Sequence, residues 1–460
     1  MDYRTQRALS RRSFLKALTA TAIVTPLAGC PEDTDGADAS VVIIGAGISG
    51  LSAARRLKQL GFENVVILEA RNYVGGRIRT DRSLGVPVDM GASWIHGPTG
   101  NPISELADAA GSSTFVTNDE SLDVFDASGN LITDDVLDAT YRRFIDLLEA
   151  AKEVAVTGQS LSEAIRLVDE SALADPLMVY HLSAYTEFDA GGAIEDLSAL
   201  EWDGDEAFRG SDVLLPSGYD TVVNHVANGL DIRLNQVVQS ISRSGNSRIV
   251  IQTNQGSFDA DYCICTLPIG VLKSGDIEFD PILPEAFQDA ISHLGAGHVN
   301  KVALRFPGRF WDESVQYVGF TSAVKGRYPY IMNVDTFAPS ANMLMTFGFG
   351  AYGLQMEDQT NEEIQVDIMN MLNKIYGAAT VSPESMLVSR WTSDPFSKCS
   401  YSFAKQDTVP GDFMQFEESA YDDRLIFAGE HTSVDYRGTV HGAYLSGLRA
   451  ADHIYDQKLG

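Results

Sequence analysis

A chain of 460 residues is long enough for two or three domains at about 150 residues each. Its 44% hydrophobic and 21% charged residues match an ordinary globular protein and exclude wholesale disorder. Against 34 Lys+Arg stand 63 Asp+Glu, a net charge of −29. Such a surface repels phosphates and excludes sequence-independent binding of nucleic acid. The same acidity suits solubility in salt, or a cationic ligand, and composition does not choose between them.

The charge is unevenly spread. Residues 1–29 hold Arg4, Arg7, Arg11, Arg12 and Lys16 against the lone Asp2, and an apolar run follows from Ala17 to Gly29. That run is shorter than the roughly 18 to 20 residues of a membrane-spanning helix and has the shape of an export signal. Ser10 to Lys16, S-R-R-S-F-L-K, resembles a twin-arginine signal, the route taken by proteins folded before export. Leu27 to Cys30, L-A-G-C, resembles the cleavage box of bacterial lipoproteins, with Cys30 as the lipid-bearing residue and the expected anchor. The acidic stretch through Ser40 then reads as a flexible tether over residues 30–40. The expected location is periplasmic or at the cell surface. No later segment reads as a membrane span. Cys263 and Cys265 sit two apart in an apolar run and read as core positions on one strand face. The 4 Cys and 8 His have no zinc-ligand spacing, and no metal is expected.

Val41 to Ile44 reads as a buried parallel strand, and from Leu51 the apolar spacing becomes helical. Between them Gly45, Gly47 and Gly50 form G-x-G-x-x-G. Gly45 permits the turn, Gly47 admits a pyrophosphate to the backbone, and Gly50 allows close helix packing. A second strand, Val65 to Leu68, ends in Glu69, placed to accept hydrogen bonds from a ribose. The hexamer alone fits NAD or FAD. The following E-A-R-N-Y-V-G-G-R, Glu69 to Arg77, sets a glycine pair and a guanidinium against the diphosphate.

These residues resemble the flavin-containing amine oxidases, and the resemblance runs from Val41 to the C-terminus. It is nearest to the back-converting polyamine oxidases and the amine oxidase domain of lysine-specific histone demethylases. Asp89 to Gly97, D-M-G-A-S-W-I-H-G, implies that Gly91, Ala92, Ser93 and Trp94 run along the flavin. His96 then faces the substrate channel; by residue type it reads equally as a buried, hydrogen-bonded histidine. Leu234 to Ile241 implies an adenine held by the main chain at Val238. Lys301, before a V-A-L strand, corresponds to the family lysine that binds a water at flavin N5. Trp391 and Tyr401, in W-T-S-D-P-F-S-K-C-S-Y, correspond to the aromatic residues before the flavin. In relatives with covalent FAD a Cys directly precedes that Tyr; here Ser400 does, and Cys399 is one residue early, so the expected FAD is non-covalent. Glu430, in F-A-G-E-H-T, meets the ribityl and phosphate region in the family. Thr439 and Val440 border the cofactor, and Thr439 stands where other members place a second Tyr, leaving the amine cage open on one side.

The motifs imply an α/β fold: a discontinuous Rossmann-like FAD-binding domain over 41–99, 213–300 and 388–460, and an α+β substrate domain with an antiparallel sheet over 100–212 and 301–387. The implied reaction is hydride transfer from an amine, with a polyamine as first choice, followed by imine hydrolysis and reoxidation by O2 to H2O2. The expected partners are a small amine and O2. An L-amino-acid oxidase or another FAD oxidoreductase on this scaffold is the alternative, and a non-catalytic flavin-binding lipoprotein is the second. An amino-acid oxidase needs an arginine aimed at the substrate carboxylate; Arg305, Arg309 and Arg327 are the candidates.

Overall fold

A computed structural model describes residues 38–245 and 248–459. The export signal, the lipobox at Cys30 and most of the tether lie outside the described residues. The tether reading needs one correction at its end. Ala39 is buried, and the Ser40 amide and hydroxyl both donate to Asp261 at 2.9 and 2.8 Å, so the chain joins the fold two residues before the first strand.

That strand, Val41–Ile44, lies inside a six-stranded sheet ordered Ser419–Ala420, Leu425–Phe427, Tyr262–Cys265, Val41–Ile44, Val65–Leu68, Ile232–Arg233. All pairings are parallel except that of the Ser419–Ala420 edge. Its continuous V-V-I-I run follows from burial on both faces. Val41 and Ile43 pack with Leu51, Leu57 and Ile454 on one side; Val42 and Ile44 pack with Cys263, Cys265 and Phe287 on the other. The first layer is made by helices Ile48–Gln59 and Val440–Leu459. They touch backbone to backbone at Gly447, where a Cβ would stand 2.1 Å from the Ser49 carbonyl oxygen.

A second six-stranded sheet runs Ser385–Val388, Val299–Arg305, Met343–Phe349, Arg327–Asn333, Tyr317–Phe320, Leu122–Phe125. It is antiparallel except at its last edge, where Leu122–Phe125 runs parallel to Tyr317–Phe320. Along Val299–Arg305 the side chains alternate: Val302 and Leu304 face a core closed by helix Asn361–Tyr376, while Val299 and Ala303 face Phe347, Phe349 and Tyr330. Lys301 shares this second face. The expected division at 300/301 falls inside this strand, and that at 387/388 inside Ser385–Val388. Helix Pro102–Ala109, assigned from sequence to the substrate segment, buries Ile103 and Ala107 in the core of the parallel sheet. Short pairing of Trp94–Ile95 with Val213–Leu214 joins segments far apart in sequence, and the principal cavity opens between the two large sheets.

Candidate active site

One elongated cavity of about 420 Å³ is lined by every residue singled out above as catalytic or cofactor-binding, except Gly50. Gly50 serves packing, since its Cβ would lie 2.0 Å from the Gly45 carbonyl oxygen. At one end the strand Val41–Ile44 turns through Gly45, whose φ of +101° and contact with Thr266 exclude a side chain. Gly47 differs. Its φ is −71° and a Cβ would meet nothing within 4 Å, so no part of the fold requires glycine there; a ligand pressed against the backbone does. Glu69 accepts from the Ala46 amide at 2.7 Å and the Arg71 amide at 2.8 Å. It thereby ties the glycine turn to the second strand and retains lone pairs for a ribose. Gln236, Val237 and Val238 close this end.

The middle of the cavity is organised by Arg77 and Glu430. They form an ion pair at 2.8 Å, and Arg77 also donates to the Ser400 carbonyl at 3.0 Å. Glu430 additionally accepts from the Ser402 hydroxyl at 2.6 Å and the Gly438 amide at 3.0 Å. Burial alone would raise the Glu430 pKa; the Arg77 charge and these donors override it and hold the carboxyl below its ordinary value. Thr439 and Val440 line the wall where the last helix begins. The Thr439 hydroxyl accepts from the Gly442 amide at 2.9 Å, which leaves the other N–H groups of that first turn to favour an anion.

The opposite end is aromatic. Lys301 is 6% exposed and its ammonium donates to the Asp89 carbonyl at 2.9 Å and to the Ser93 hydroxyl, 5.3 Å from the centre of the Trp94 ring. Burial pushes its pKa down to about 8, against the opposing pull of Asp89. Desolvation likewise lifts the Asp89 carboxyl to about 6, despite hydrogen bonds from Thr80 and Tyr219. Trp391 is fixed by Nε1–H donating to the Met90 carbonyl at 3.1 Å, and Tyr401 by its hydroxyl donating to the Phe188 carbonyl at 2.6 Å. His96 lines the same cavity, with Nδ1 2.7 Å from Asp212, whose other oxygen accepts the Gly97 amide at 3.0 Å. His96 is thus hydrogen-bonded and lines the cavity, but with its side chain 32% exposed it is not the buried histidine of the alternative reading.

Sequence reasoning missed several members of this end. Phe188 and Asp189 line the cavity, directly after the π-helical turn Leu182–Glu187; only the distorted turn, invisible in composition, marks them. Asp212 lies 116 residues from His96. Asn300 and Ser389 were also missed. The Asn300 side-chain Oδ1 accepts the Trp391 amide at 3.2 Å, and the Ser389 hydroxyl accepts the Lys301 amide at 2.7 Å. Both hold catalytic candidates by their main chain.

A glycine turn without internal need for glycine, an acid after the second strand and a buried lysine at the far end define a dinucleotide-dependent oxidoreductase. The profile of the family described as flavin containing amine oxidoreductase matches residues 48–455, and the chain belongs to that family. It is 36% identical over 440 residues to polyamine oxidase 4 of Oryza sativa subsp. japonica, covering 90% of this chain and 88% of that one. It is 34% identical over 435 residues to polyamine oxidase 2 of Arabidopsis thaliana, covering 90% and 87%. Lysine-specific histone demethylase 1B of Mus musculus is 31% identical over 441 residues, with 90% of this chain matched to 52% of that protein. Among solved structures, putrescine oxidase bound to putrescine superposes with a TM-score of 0.75 at 20% identity, over 90% of this chain and 98% of that one, a likeness of fold. The protein is an FAD-dependent amine oxidase, and its own residues fit a flavin held without a covalent bond. Cys399 is fully buried behind Arg77 in the core under the parallel sheet, and among the described residues no cysteine lines the cavity.

Proposed function

We propose that the protein oxidises polyamines, with the amine confined between Trp391, Tyr401 and Lys301. Lys301 carries this reading: a cation so deeply buried has a cost, and here it sits at the end of the cavity where the aromatic side chains converge. FAD held by Glu69, Arg77, Glu430 and the Gly91–Trp94 stretch would supply the redox chemistry, with the amine α-carbon as hydride donor, O2 as final electron acceptor giving H2O2, and water hydrolysing the imine product. The Trp391 and Tyr401 rings, each anchored by a polar hydrogen bond, exclude water from the amine. Loss of solvation disfavours the ammonium form and promotes the neutral amine from which hydride can leave. Lys301, with its pKa lowered to about 8, orients water at the reacting end and can exchange a proton near neutral pH. Asp212 holds His96 with its Nδ1 proton directed to the carboxylate, leaving Nε2 as the acceptor available to a substrate N–H.

None of the three arginines expected for an amino-acid oxidase lines the main cavity. Arg305 donates to the Leu84 carbonyl at 2.6 Å, Arg309 pairs with Glu313 and Arg327 with Asp367. The arginines of the cavity wall, Arg71 and Arg77, are engaged by Asp394 and Glu430 at the dinucleotide side. The proposal extends to location: export by the twin-arginine route and a lipid anchor at Cys30. Anaerobic mixing with spermine, spermidine, acetylated polyamines, simple amines and L-amino acids tests the chemistry. Flavin bleaching by polyamines supports it; bleaching by amino acids alone, or by nothing in the panel, refutes it.

A further inference from the structure

Behind the cavity wall formed by Lys301 lies a carboxylate that the reaction described above does not use. Asp89 pairs with Thr80 in the short sheet of Thr80–Asp81 and Val88–Asp89, and it is not among the residues lining the cavity. Its main-chain carbonyl accepts the Lys301 ammonium at 2.9 Å. Its side chain is met by donors: Oδ1 accepts the Thr80 hydroxyl and, at 3.1 Å, the Tyr219 amide, which lies 3.3 Å from Oδ2. The Thr80 hydroxyl in turn accepts the Asp220 amide at 3.2 Å. Donors on both oxygens suit the ionised form, and a carboxylate so enclosed calls for a compensating cation. Arg82 is held by both oxygens of Asp220, at 2.6 and 2.9 Å, in an exposed pair. Lys301, 6% exposed, is the buried cation. An ammonium has three N–H donors; the Asp89 carbonyl and the Ser93 hydroxyl receive two of them. The Trp94 and Phe347 ring centres lie 5.3 and 5.7 Å from its nitrogen. The remaining titratable groups beside Asp89 are Asp220, paired with Arg82, and the Tyr219 phenol, which burial keeps protonated. Position and charge are thus separable at one residue: the carbonyl places Lys301, and the carboxylate acts on its charge.

We propose that Asp89 is a positioning residue that acts through Lys301: its carbonyl fixes the ammonium at the reacting end, and its buried carboxylate sets the pH at which Lys301 releases its proton. This rests on the assignment of Lys301 to the amine oxidase reaction. Asp89 exchanges no atom with substrate or cofactor. Its carboxylate opposes the burial that lowers the Lys301 pKa to about 8, and loss of a close opposite charge lowers such a pKa by about one to three units more.

The test follows anaerobic flavin reduction by spermidine, and thermal melts, across pH 6.5 to 10.5 in the holoenzyme. Wild type, Asp89→Asn, Lys301→Met and the double variant are compared. Asn keeps an acceptor for Thr80 and Tyr219 and the carbonyl under Lys301, so only the charge is lost. The limb of the rate profile that vanishes in Lys301→Met is expected near pH 8 in wild type and about one unit or more lower in Asp89→Asn. The rise in Tm with pH starts lower by the same amount, because the folded chain then gives up the Lys301 proton at lower pH while the unfolded chain does not. With Lys301 already replaced by Met, Asp89→Asn moves neither. Thr80→Val leaves the carboxylate one donor fewer, moves both in the same direction by less, and decides the question if Asp89→Asn does not fold. A limb and a Tm rise that stay in place in the folded variants overturn the proposal, as does an equal shift in the Lys301→Met background. Wild-type reduction in Lys301→Met defeats instead the role of Lys301 beneath it. A wild type not reduced by spermidine defeats the polyamine reading, and the melts still decide whether Asp89 sets the Lys301 proton.

Discussion

Replacing Lys301 by Met separates chemistry from stability. The change removes the hydrogen bonds to the Asp89 carbonyl and the Ser93 hydroxyl, each worth about 1.5–3 kcal/mol as a bond to a charged group. It also removes a buried ammonium whose desolvation costs several kcal/mol, and Met fills a similar volume. The two effects nearly cancel, so Tm should move by no more than about 5 °C. Activity should not cancel: loss of a positioned proton-handling group lowers the rate of flavin reduction by about 10²- to 10⁴-fold. A pH signature accompanies this. Since burial lowers the folded-state pKa of Lys301 to about 8 from its ordinary 10.5, the unfolded chain binds the proton more tightly between those values. Lys301 therefore penalises folding fully below pH 8, and the penalty is relieved as pH rises toward 10.5. The Met variant should lack that rise. Stopped-flow bleaching under anaerobic conditions and thermal melts from pH 7 to 10.5 read all three quantities. Bleaching at the wild-type rate in a folded Lys301→Met protein would falsify the assigned role, and a collapse of Tm by 15 °C would make Lys301 a structural anchor instead.

Gly47→Val places a side chain where nothing in the fold opposes it, so the apoprotein should melt within a few degrees of wild type while purified material loses the yellow flavin; retention of full FAD occupancy would contradict the assignment. Acid or guanidinium denaturation followed by filtration should leave all flavin in the filtrate, since Cys399 lies behind the cavity wall; flavin in the retained protein would mean a covalent link. Asp212→Asn keeps the shape but not the charge beside His96 at 2.7 Å, and should lower kcat/KM for polyamines by about tenfold, whereas an unchanged kcat/KM removes His96 from substrate recognition. Cys30→Ser should move the exported protein from the membrane fraction to the soluble one, and an unchanged distribution would rule out the lipid anchor.

Some of this protein was settled by local chemistry. The run Val41–Ile44, the G-x-G-x-x-G turn, the helix after it and Glu69 at the end of the next strand lie within thirty or so residues, and each imposes its structure through backbone conformation or burial period. They specify a dinucleotide fold from sequence alone, and the motif at Trp391 to Tyr401 placed two aromatic residues that do line the cavity. The acid excess argued against nucleic acid as a partner but did not indicate which carboxylates matter. Tertiary structure decided that, because a carboxylate acts through partners that sequence cannot place beside it. Glu430 meets Arg77 across 353 positions, Asp212 meets His96 across 116, and the Tyr401 hydroxyl meets the Phe188 carbonyl across 213. The domain boundaries followed the same logic. A strand such as Val299–Arg305 belongs to the sheet its hydrogen bonds complete, and those bonds form with segments far along the chain.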